Sequence, residues 1–215
     1  MTDQPVKRRR GCLFYGCLTS SILVLVVLAG LLLGYLKILN SFTDTKPMPL
    51  PTVNMSDAEM AQVRQRVDAF SQDIRSGRAP SPLELSGDEL NALILTDPNL
   101  KTLKGQLYVS IEGNQIKGQL SVPASRLGLG IFKHRYINGS GTFKVSLVNG
   151  TLYVNAQTLS VKGKPIPDKY MQQVRLQNLA QGFNQDAKIS VGLNKLQSIE
   201  VKDDKLVVVP APPAQ

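Results

Sequence analysis

The sequence contains little of the material from which metal and disulfide sites are built. It has a single histidine, no tryptophan and two cysteines, Cys12 and Cys17, both close to the amino terminus. Zinc and haem are held mainly by histidine and cysteine, so we predict no metal and no cofactor. The two thiols are interpreted as plain reduced cysteines, with acylation as the alternative. The rest of the chain has no cysteine and cannot form a disulfide.

Catalytic motifs are also missing. His134 has no cysteine partner, and no G-x-S-x-G motif is present. The segment Asn138-Gly139-Ser140-Gly141 lacks the first glycine of that motif, and Gly128-x-Gly130 lacks the third glycine of a nucleotide loop. We predict no catalytic residue and no enzymatic activity. An enzyme would need a pocket that brings a carboxylate to His134.

What the sequence does contain is one long uncharged segment near its amino terminus. No residue from Gly11 to Leu36 is charged. A helix rises about 1.5 Å per residue, so this segment is long enough to cross about 30 Å of hydrocarbon. The basic cluster Lys7 to Arg10 precedes it and is expected to stay in the cytoplasm. The pattern predicts a single-pass anchor in the inner membrane, with everything after about Asn40 extracytoplasmic.

One alternative interpretation and one further motif concern this predicted span. A cleaved signal peptide has a shorter apolar core and a small-residue cleavage site, for which Ser41 and Thr43 are a weak match. Gly30 and Gly34 form a G-x-x-x-G, a spacing that lets two membrane helices approach closely. This spacing predicts a weak homodimer through the span. The alternative is that the spacing arose by chance, as it often does in a span rich in Leu and Gly.

The remaining chain predicts a linker and one folded domain. Pro47, Pro49 and Pro51 lie among small polar residues, a composition typical of an extended, semi-stiff stalk. We therefore divide the chain into a basic cytoplasmic tail (1–10), a transmembrane helix (11–39), a proline-rich linker (40–55), an exported domain (56–209) and a frayed tail (210–215).

Helix signals occur at three places in the domain. Ser56 with Glu59, and Ser86 with Glu89, form capping boxes, each followed by an apolar stripe. The first stripe, Met60 to Ile74, is interpreted as core packing, with a seam for a partner helix as the alternative. A third helix is predicted from Asp168 to about Phe183. Its expected apolar contacts are Met171, Val174, Leu179 and Phe183.

Strand signals dominate the rest of the domain. Alternating apolar residues form three pairs of segments, joined by Gly113-Asn114, Asn149-Gly150 and Asp203-Asp204. Such dipeptides favour two-residue hairpin turns, so Asp203-Asp204 is interpreted as a turn rather than a metal site. The pattern predicts an α+β fold, in which an antiparallel meander of three hairpins is packed on one face by two or three helices.

One apolar segment is bordered by cations and is the predicted contact surface. Leu127 to Phe132 is rich in glycine and lies between Arg126 and the basic triplet Lys133-His134-Arg135. An apolar tip with basic borders is typical of a surface that touches lipid headgroups or an acyl chain. The alternative is a short buried or edge strand with solvated ends. The predicted contact residues are Arg126, Leu127, Leu129, Ile131, Phe132, Lys133 and Arg135.

The net charge of +9 narrows the class of partner. A domain outside the cytoplasm that has no base-stacking motif is not expected to bind nucleic acid. An anionic membrane surface or envelope polymer is the more fitting counter-charge.

The segment Leu85-Ser86-Gly87-Asp88-Glu89-Leu90-Asn91-Ala92-Leu93 resembles a known pattern, as does the closing hairpin from Ile199 to Val209. Both are similar to single-pass, membrane-anchored bacterial proteins of the YpmS type. The resemblance covers about residues 83–209 and rests on short motifs. It implies a helix packed on a curved sheet, distantly similar to tubular lipid-binding modules that hold acyl chains, and it transfers no binding residue.

Together these observations predict a bacterial envelope protein anchored by one transmembrane helix. Its outer domain is expected to bind a hydrophobic ligand, such as a lipid, or a protein partner, without catalysis. The alternative is an interaction or assembly module of a membrane complex that binds no small ligand.

Overall fold

The computed structural model describes residues 12–127 and 134–212, with side chains from residue 24 onward except at positions 38, 99, 127 and 188. The chain forms two units, Met1–Phe42 and Thr43–Gln215. The first contains the helix α1 (Cys12–Phe42). The second is a domain of helices and antiparallel strands. The predicted α+β class is confirmed.

The domain contains five α-helices and eight strands among its described residues. The helices are α2 (Asp57–Arg75), α3 (Gly87–Thr96), α4 (Asp168–Leu176), α5 (Gln181–Gln185) and α6 (Ala187–Leu193). The strands are β1 (Leu83–Ser86), β2 (Leu107–Glu112), β3 (Gln115–Pro123), β4 (Tyr136–Val148), β5 (Thr151–Val161), β6 (Lys164–Pro165), β7 (Leu196–Lys202) and β8 (Lys205–Pro210).

The strands form two sheets, whereas a single meander was expected. One sheet has the order β2-β3-β4-β5-β6, and the other has the order β1-β8-β7. The last hairpin separates from the meander because three helices, α4 to α6, lie between β6 and β7. Its strand β8 pairs instead with β1, from the start of the domain, with Leu85 opposite Leu206.

All three predicted hairpins are confirmed. Asn149 and Gly150 have φ values of +51° and +74°, and Asp203 and Asp204 have +53° and +61°. Positive φ at both central residues gives the backbone twist that two-residue hairpins need. Asp203-Asp204 is therefore a turn, as predicted. A further turn at Lys162-Gly163, also with positive φ, joins β5 to the short strand β6, which the sequence did not indicate.

Both predicted capping boxes are present at the starts of α2 and α3. At the second, the Glu89 amide donates to Ser86 Oγ at 3.2 Å, and the Ser86 amide donates to Glu89 Oε2 at 2.8 Å. Glu89 also pairs with Arg66 of α2 at 2.9 Å. The box thus satisfies backbone groups that a helix start leaves unpaired, and its glutamate joins the two helices.

The prediction of one helix from Asp168 to about Phe183 is wrong. Helix α4 ends at Leu176, because Gln177 has extended backbone angles, and α5 begins only at Gln181. Met171 is buried as expected, but Leu179 and Phe183 are about half exposed, with 48% and 52% of their surface accessible. The helix is interrupted where the chain meets β5, since the Leu179 amide donates to the Val154 carbonyl at 2.9 Å.

The first half of β4 is a strand despite its asparagine and glycines. Gly141 lies opposite Gly118 of β3, and the Phe143 ring covers Gly118, where an added Cβ would lie 3.1 Å from the ring. The pairing of β4 with β5 changes register between Thr142 and Phe143. Glycine is unfavourable in strand interiors unless a neighbour packs closely on it, and the Phe143 ring does so here.

The outer edge of β2 is completed by an amide side chain rather than by a strand. Asn91 of α3 accepts from the Val109 amide at 2.8 Å and donates to the Val109 carbonyl at 2.6 Å. Only 2% of Asn91 is exposed. Gly87 lets the helix come this close, because an added Cβ would lie 3.2 Å from backbone atoms of Ser110 and Ile111.

The outer edge of β5 is completed in the same way by two asparagines. Asn178 accepts from the Val154 amide at 3.0 Å and donates to the Leu152 carbonyl at 2.8 Å. Asn184 accepts from the Leu152 amide at 2.9 Å and donates to the same carbonyl at 2.8 Å. Open strand edges tend to pair with other chains, and the segment that interrupts the predicted helix covers this one.

We expect Asn91→Ala to lower the free energy of unfolding by about 2–4 kcal/mol, because it leaves the buried amide and carbonyl of Val109 without partners. Asn114→Ala is the matched control, since Asn114 is exposed in the β2–β3 turn, and we expect it to change stability by less than about 0.5 kcal/mol. Denaturant unfolding of the full chain in detergent measures both. Equal losses in the two variants would contradict the role assigned to Asn91.

Candidate functional site

An apolar groove lies between α2 and the helices α5 and α6. It has a volume of about 690 Å³. Phe70 and Ile74 of α2 form one wall, and Ile189 and Leu193 of α6 form the other. The remaining apolar lining comes from Leu100, Phe183 and Leu196. The volume lies within the range of small-molecule sites, about 300–1,000 Å³.

The groove is bordered by charged side chains of both signs. Arg75, Asp97 and Asp186 lie along its border. Near Arg75, the Lys195 ammonium donates to the carbonyls of Ile74 and Arg75, both at 3.2 Å. This places a cation at the carboxyl end of α2, where helix carbonyls lack partners and the helix dipole is negative.

Apolar side chains around the groove remain in contact with solvent. Phe183 is 52% exposed and Val191 is 59% exposed. Val191 lines a second hollow of about 640 Å³ that shares Ile74, Arg75 and Gly192 with the groove. Exposed apolar surface of this kind, clustered on one side of a domain, is typical of a binding surface.

Two glycines of this region provide a way to test the groove. Gly192 lines it, and an added Cβ there would have no heavy atom within 4 Å. Gly182 of α5 has equally open surroundings but does not line the groove. A large side chain at Gly192 can therefore fill the groove without displacing backbone, and the same side chain at Gly182 is a matched control.

A second candidate surface lies at the start of the domain, where Thr43 to Met48 bind to the five-stranded sheet. We call this segment the clasp. Asp44 and Tyr136 exchange two backbone hydrogen bonds of 2.8 Å, which pair the clasp with the first residue of β4. Thr43 is 2% exposed. Its hydroxyl accepts from Arg135 Nε at 2.6 Å, and its carbonyl accepts from Arg135 Nη2 at 3.1 Å.

Asn138 of β4 is the centre of the clasp. Its amide nitrogen donates to Asp44 Oδ2 at 2.9 Å and to the Lys46 carbonyl at 3.0 Å. Its amide oxygen accepts from the Met48 backbone at 3.1 Å and from the Ser121 hydroxyl at 2.9 Å. Asn138 was singled out earlier only as part of an incomplete catalytic motif. In the structure it is buried and binds the chain that follows α1.

The clasp differs from the stalk expected at residues 40–55. Its three prolines predicted an extended, semi-stiff stalk, and in the structure Thr43 to Met48 are bound to β3, β4 and the β5–β6 turn. Proline does fix an extended backbone, and such a backbone can also pair with a strand. The polar partners that select pairing are distant in sequence, so composition alone did not reveal them.

Electrostatics within the clasp favour the ionised form of Asp44. Lys162 Nζ lies 2.8 Å from Asp44 Oδ1. The hydrogen bond from Lys162, followed by that from Asn138, lowers the pKa of Asp44 below its ordinary value, against the opposing effect of burial. The charged carboxylate is thus the form that the clasp holds.

The predicted contact surface at residues 126–135 is described only at its ends. Arg126 is exposed and donates to the Thr102 carbonyl at 3.3 Å. Arg135 donates to Thr43 of the clasp. The side chain of Leu127 lies outside the described part, as do residues 128–133, which include Leu129, Ile131, Phe132 and Lys133. Contact of this surface with lipid or ligand stays a prediction.

Within α1, Val24–Phe42 is long and apolar enough to span a membrane, and none of it is buried against the protein. A signal sequence has the same properties. Gly30 and Gly34 lie on this helix with open space around both, and their predicted helix–helix contact stays a prediction.

The single histidine occupies a strained backbone position. His134 is exposed, with a φ of +60°, and precedes Arg135, which binds the clasp. Among residues 12–127 and 134–212, no group of three or more His, Cys, Asp or Glu side chains could hold a metal ion.

The chain was compared with protein-family models, curated proteins and solved structures, and none matches it. The resemblance to YpmS-type proteins stays a prediction. The structure gives its motif a local explanation, because Ser86 and Glu89 cap α3, Gly87 permits close packing and Asn91 pairs with β2.

We expect the clasp to weaken on acidification. Because the pKa of Asp44 is lower in the folded state, its contribution is complete above the unfolded pKa and is lost as the pH falls through the folded pKa. Protection of the Asp44 and Tyr136 amides against hydrogen exchange should fall over that range. Asp44→Asn should remove this pH dependence and cost about 1–3 kcal/mol at neutral pH.

Asp168→Asn is the control, because Asp168 pairs with Arg175 at 2.9 Å away from the clasp. It should leave the pH dependence of the two amides unchanged. A pH dependence that persists in Asp44→Asn would show that another group titrates in the clasp.

Proposed function

We propose that the protein is a single-pass, membrane-anchored bacterial envelope protein whose outer domain binds the acyl chain of a lipid, without catalysing a reaction. The binding site is the groove between α2 and α6. The observation that carries the proposal is the apolar lining of a groove of about 690 Å³ next to half-exposed Phe183. This volume falls within the range of small-molecule sites, about 300–1,000 Å³.

The anchoring part of the proposal is supported by α1 and by the charge in front of it. The apolar segment Val24–Phe42 is long enough to span a bilayer. The cluster Lys7 to Arg10 supports a cytoplasmic amino terminus in the inner membrane, with the domain on the other side. The same membrane would supply the lipid.

The hydrophobic effect supports an apolar occupant of the groove. Burial of apolar surface is favourable by about 25 cal/mol per Å². Phe183 and Ile189 of the groove each keep a third or more of their surface exposed, so an acyl chain laid along them removes further apolar area from water. Arg75 and Lys195, at the carboxyl end of α2, offer a positive border for a headgroup.

The second candidate function is that of an interaction or assembly module. It is favoured by exposed apolar side chains that do not line the groove, since Leu176 is 81% exposed and Leu179 is 48% exposed. A helix of a partner protein could cover a longer stretch of this surface than one acyl chain. In that case the Gly30 and Gly34 face of the span would be a further contact.

The topology is tested by a reporter enzyme fused after Gln215 that is active only outside the cytoplasm. We expect full activity, with the intact chain retained in membranes after an alkaline wash. Replacing Lys7 to Arg10 with glutamine should reduce the active fraction, because it removes the cationic cluster that sets orientation. A cytosolic reporter, or a soluble product that lacks about the first forty residues, would overturn the anchoring proposal.

Lipid binding is tested in vesicles that contain the full chain and a phospholipid with a photoreactive acyl chain. We expect the label on peptides that cover residues 183–193, in addition to α1, which serves as the internal standard. Gly192→Phe should reduce the groove label relative to α1 by about tenfold, equivalent to ~1.4 kcal/mol of binding. Gly182→Phe should leave it unchanged.

The other outcomes of this experiment separate the two candidate functions. The lipid proposal would be overturned if Gly192→Phe and Gly182→Phe showed equal labelling of the groove. It would also be overturned if the groove of the wild-type chain took up no label. A groove without label, together with a copurifying protein that Gly192→Phe displaces and Gly182→Phe retains, would support the assembly module.

A further inference from the structure

We propose that the clasp end of the domain is a docking surface for anionic phospholipid headgroups of the membrane in which the chain is anchored. The surface consists of five cations around the clasp, Lys46, Arg126, Arg135, Lys162 and Lys164, and we call it the basic end. The inference rests on the proposed anchoring and is independent of what occupies the groove.

The clasp directly follows the apolar segment of α1 in the covalent chain. Thr43 is the residue after Phe42, at which the apolar segment of α1 ends. Consecutive Cα atoms are about 3.8 Å apart, so no slack exists between the two. Arg135 binds the hydroxyl and carbonyl of Thr43 directly. Arg135 thus binds the residue that directly follows the apolar segment Val24–Phe42 in the chain.

The charge of the basic end is available to an external partner. Lys46, Arg126 and Lys164 are exposed. Asp44 lies inside the cluster and is paired with Lys162 at 2.8 Å. The cluster thus carries a net positive charge even after this ion pair is counted. Ammonium and guanidinium groups bind phosphate oxygens through charge-assisted hydrogen bonds.

The opposite end of the five-stranded sheet has a different charge pattern. There the β2–β3 and β7–β8 turns meet, and the Gly113 amide donates to Asp204 Oδ1 at 2.5 Å. Glu112, Asp203 and Asp204 lie at these turns together with Lys202 and Lys205. Cations are thus balanced by acids there. Electrostatic attraction falls off within about 8 Å at physiological salt, and the basic end is the surface that we expect to respond to an anionic bilayer.

The test uses the full chain with Cys12→Ser and Cys17→Ser, and one new cysteine that carries a fluorophore. Pro165→Cys reports on the basic end, and Asn114→Cys reports on the opposite end; both positions are exposed. The chain is reconstituted in phosphatidylcholine vesicles with or without phosphatidylglycerol, with a quencher attached to lipid headgroups. We expect quenching at position 165 to rise with phosphatidylglycerol and to fall with added salt, and quenching at position 114 to stay low.

Charge-neutralising variants supply the matched control. Lys46→Gln with Lys164→Gln removes two cations from the basic end without touching the clasp ion pair. Since each lysine near an anionic surface contributes about a fivefold factor, the equilibrium for surface contact should fall by roughly 25-fold. Lys144→Gln with Lys202→Gln makes the same charge change away from the basic end and should leave quenching at position 165 unchanged.

Each contrary result has a defined meaning. The proposal would be overturned if quenching at position 165 did not change with phosphatidylglycerol. It would also be overturned if this quenching were the same in Lys46→Gln with Lys164→Gln as in the parent chain. Binding of soluble polyphosphate without any response to phosphatidylglycerol would assign the basic end to an anionic polymer and overturn it as well. A chain that fails to float with the vesicles contradicts the anchor, whereas a floating chain without quenching at position 165 contradicts only this inference.

Discussion

Buried backbone groups at the edges of the five-stranded sheet need hydrogen-bond partners, and asparagine side chains provide them. The amide of a side chain carries the same donor and acceptor as a peptide group, so it can take the place of a missing strand. Asn91 does this at β2, and Asn178 and Asn184 do it at β5. The position of α3 and the interruption between α4 and α5 both follow from these contacts. The groove in turn depends on the interruption, because it leaves Phe183 beside α2.

The clasp uses the same chemistry for a different purpose. Asn138 binds the backbone of residues 46 and 48 and the side chain of Asp44. The segment expected to be a spacer thereby becomes part of the domain. The domain then begins directly after α1, at Thr43. The end of the domain to which the clasp binds carries the exposed cations Lys46, Arg126 and Lys164.

Local signals in the sequence predicted most of the fold. Capping boxes and two-residue turns depend on neighbouring residues, so Ser56, Ser86 and the three hairpins were found correctly. The helix through Leu179 was predicted wrongly, and the first half of β4 was missed, because distant backbone partners decide both. The groove was not located from sequence, although Met60 to Ile74 had been noted as an apolar stripe. The clasp was not predicted either, since Asn138 lies about ninety residues away in sequence from the residues that it binds.

The length of β4 separates the two candidate surfaces. The clasp binds at Tyr136, whereas Asn184, the residue after the groove residue Phe183, binds Leu152, which pairs with Leu147. Eleven residues of strand correspond to about 35 Å, and a phospholipid extends only about 20 Å, half the thickness of a bilayer with its headgroups. One phospholipid molecule therefore cannot occupy both places. In the proposed function, a lipid in the groove is therefore a different molecule from any lipid that contacts the basic end.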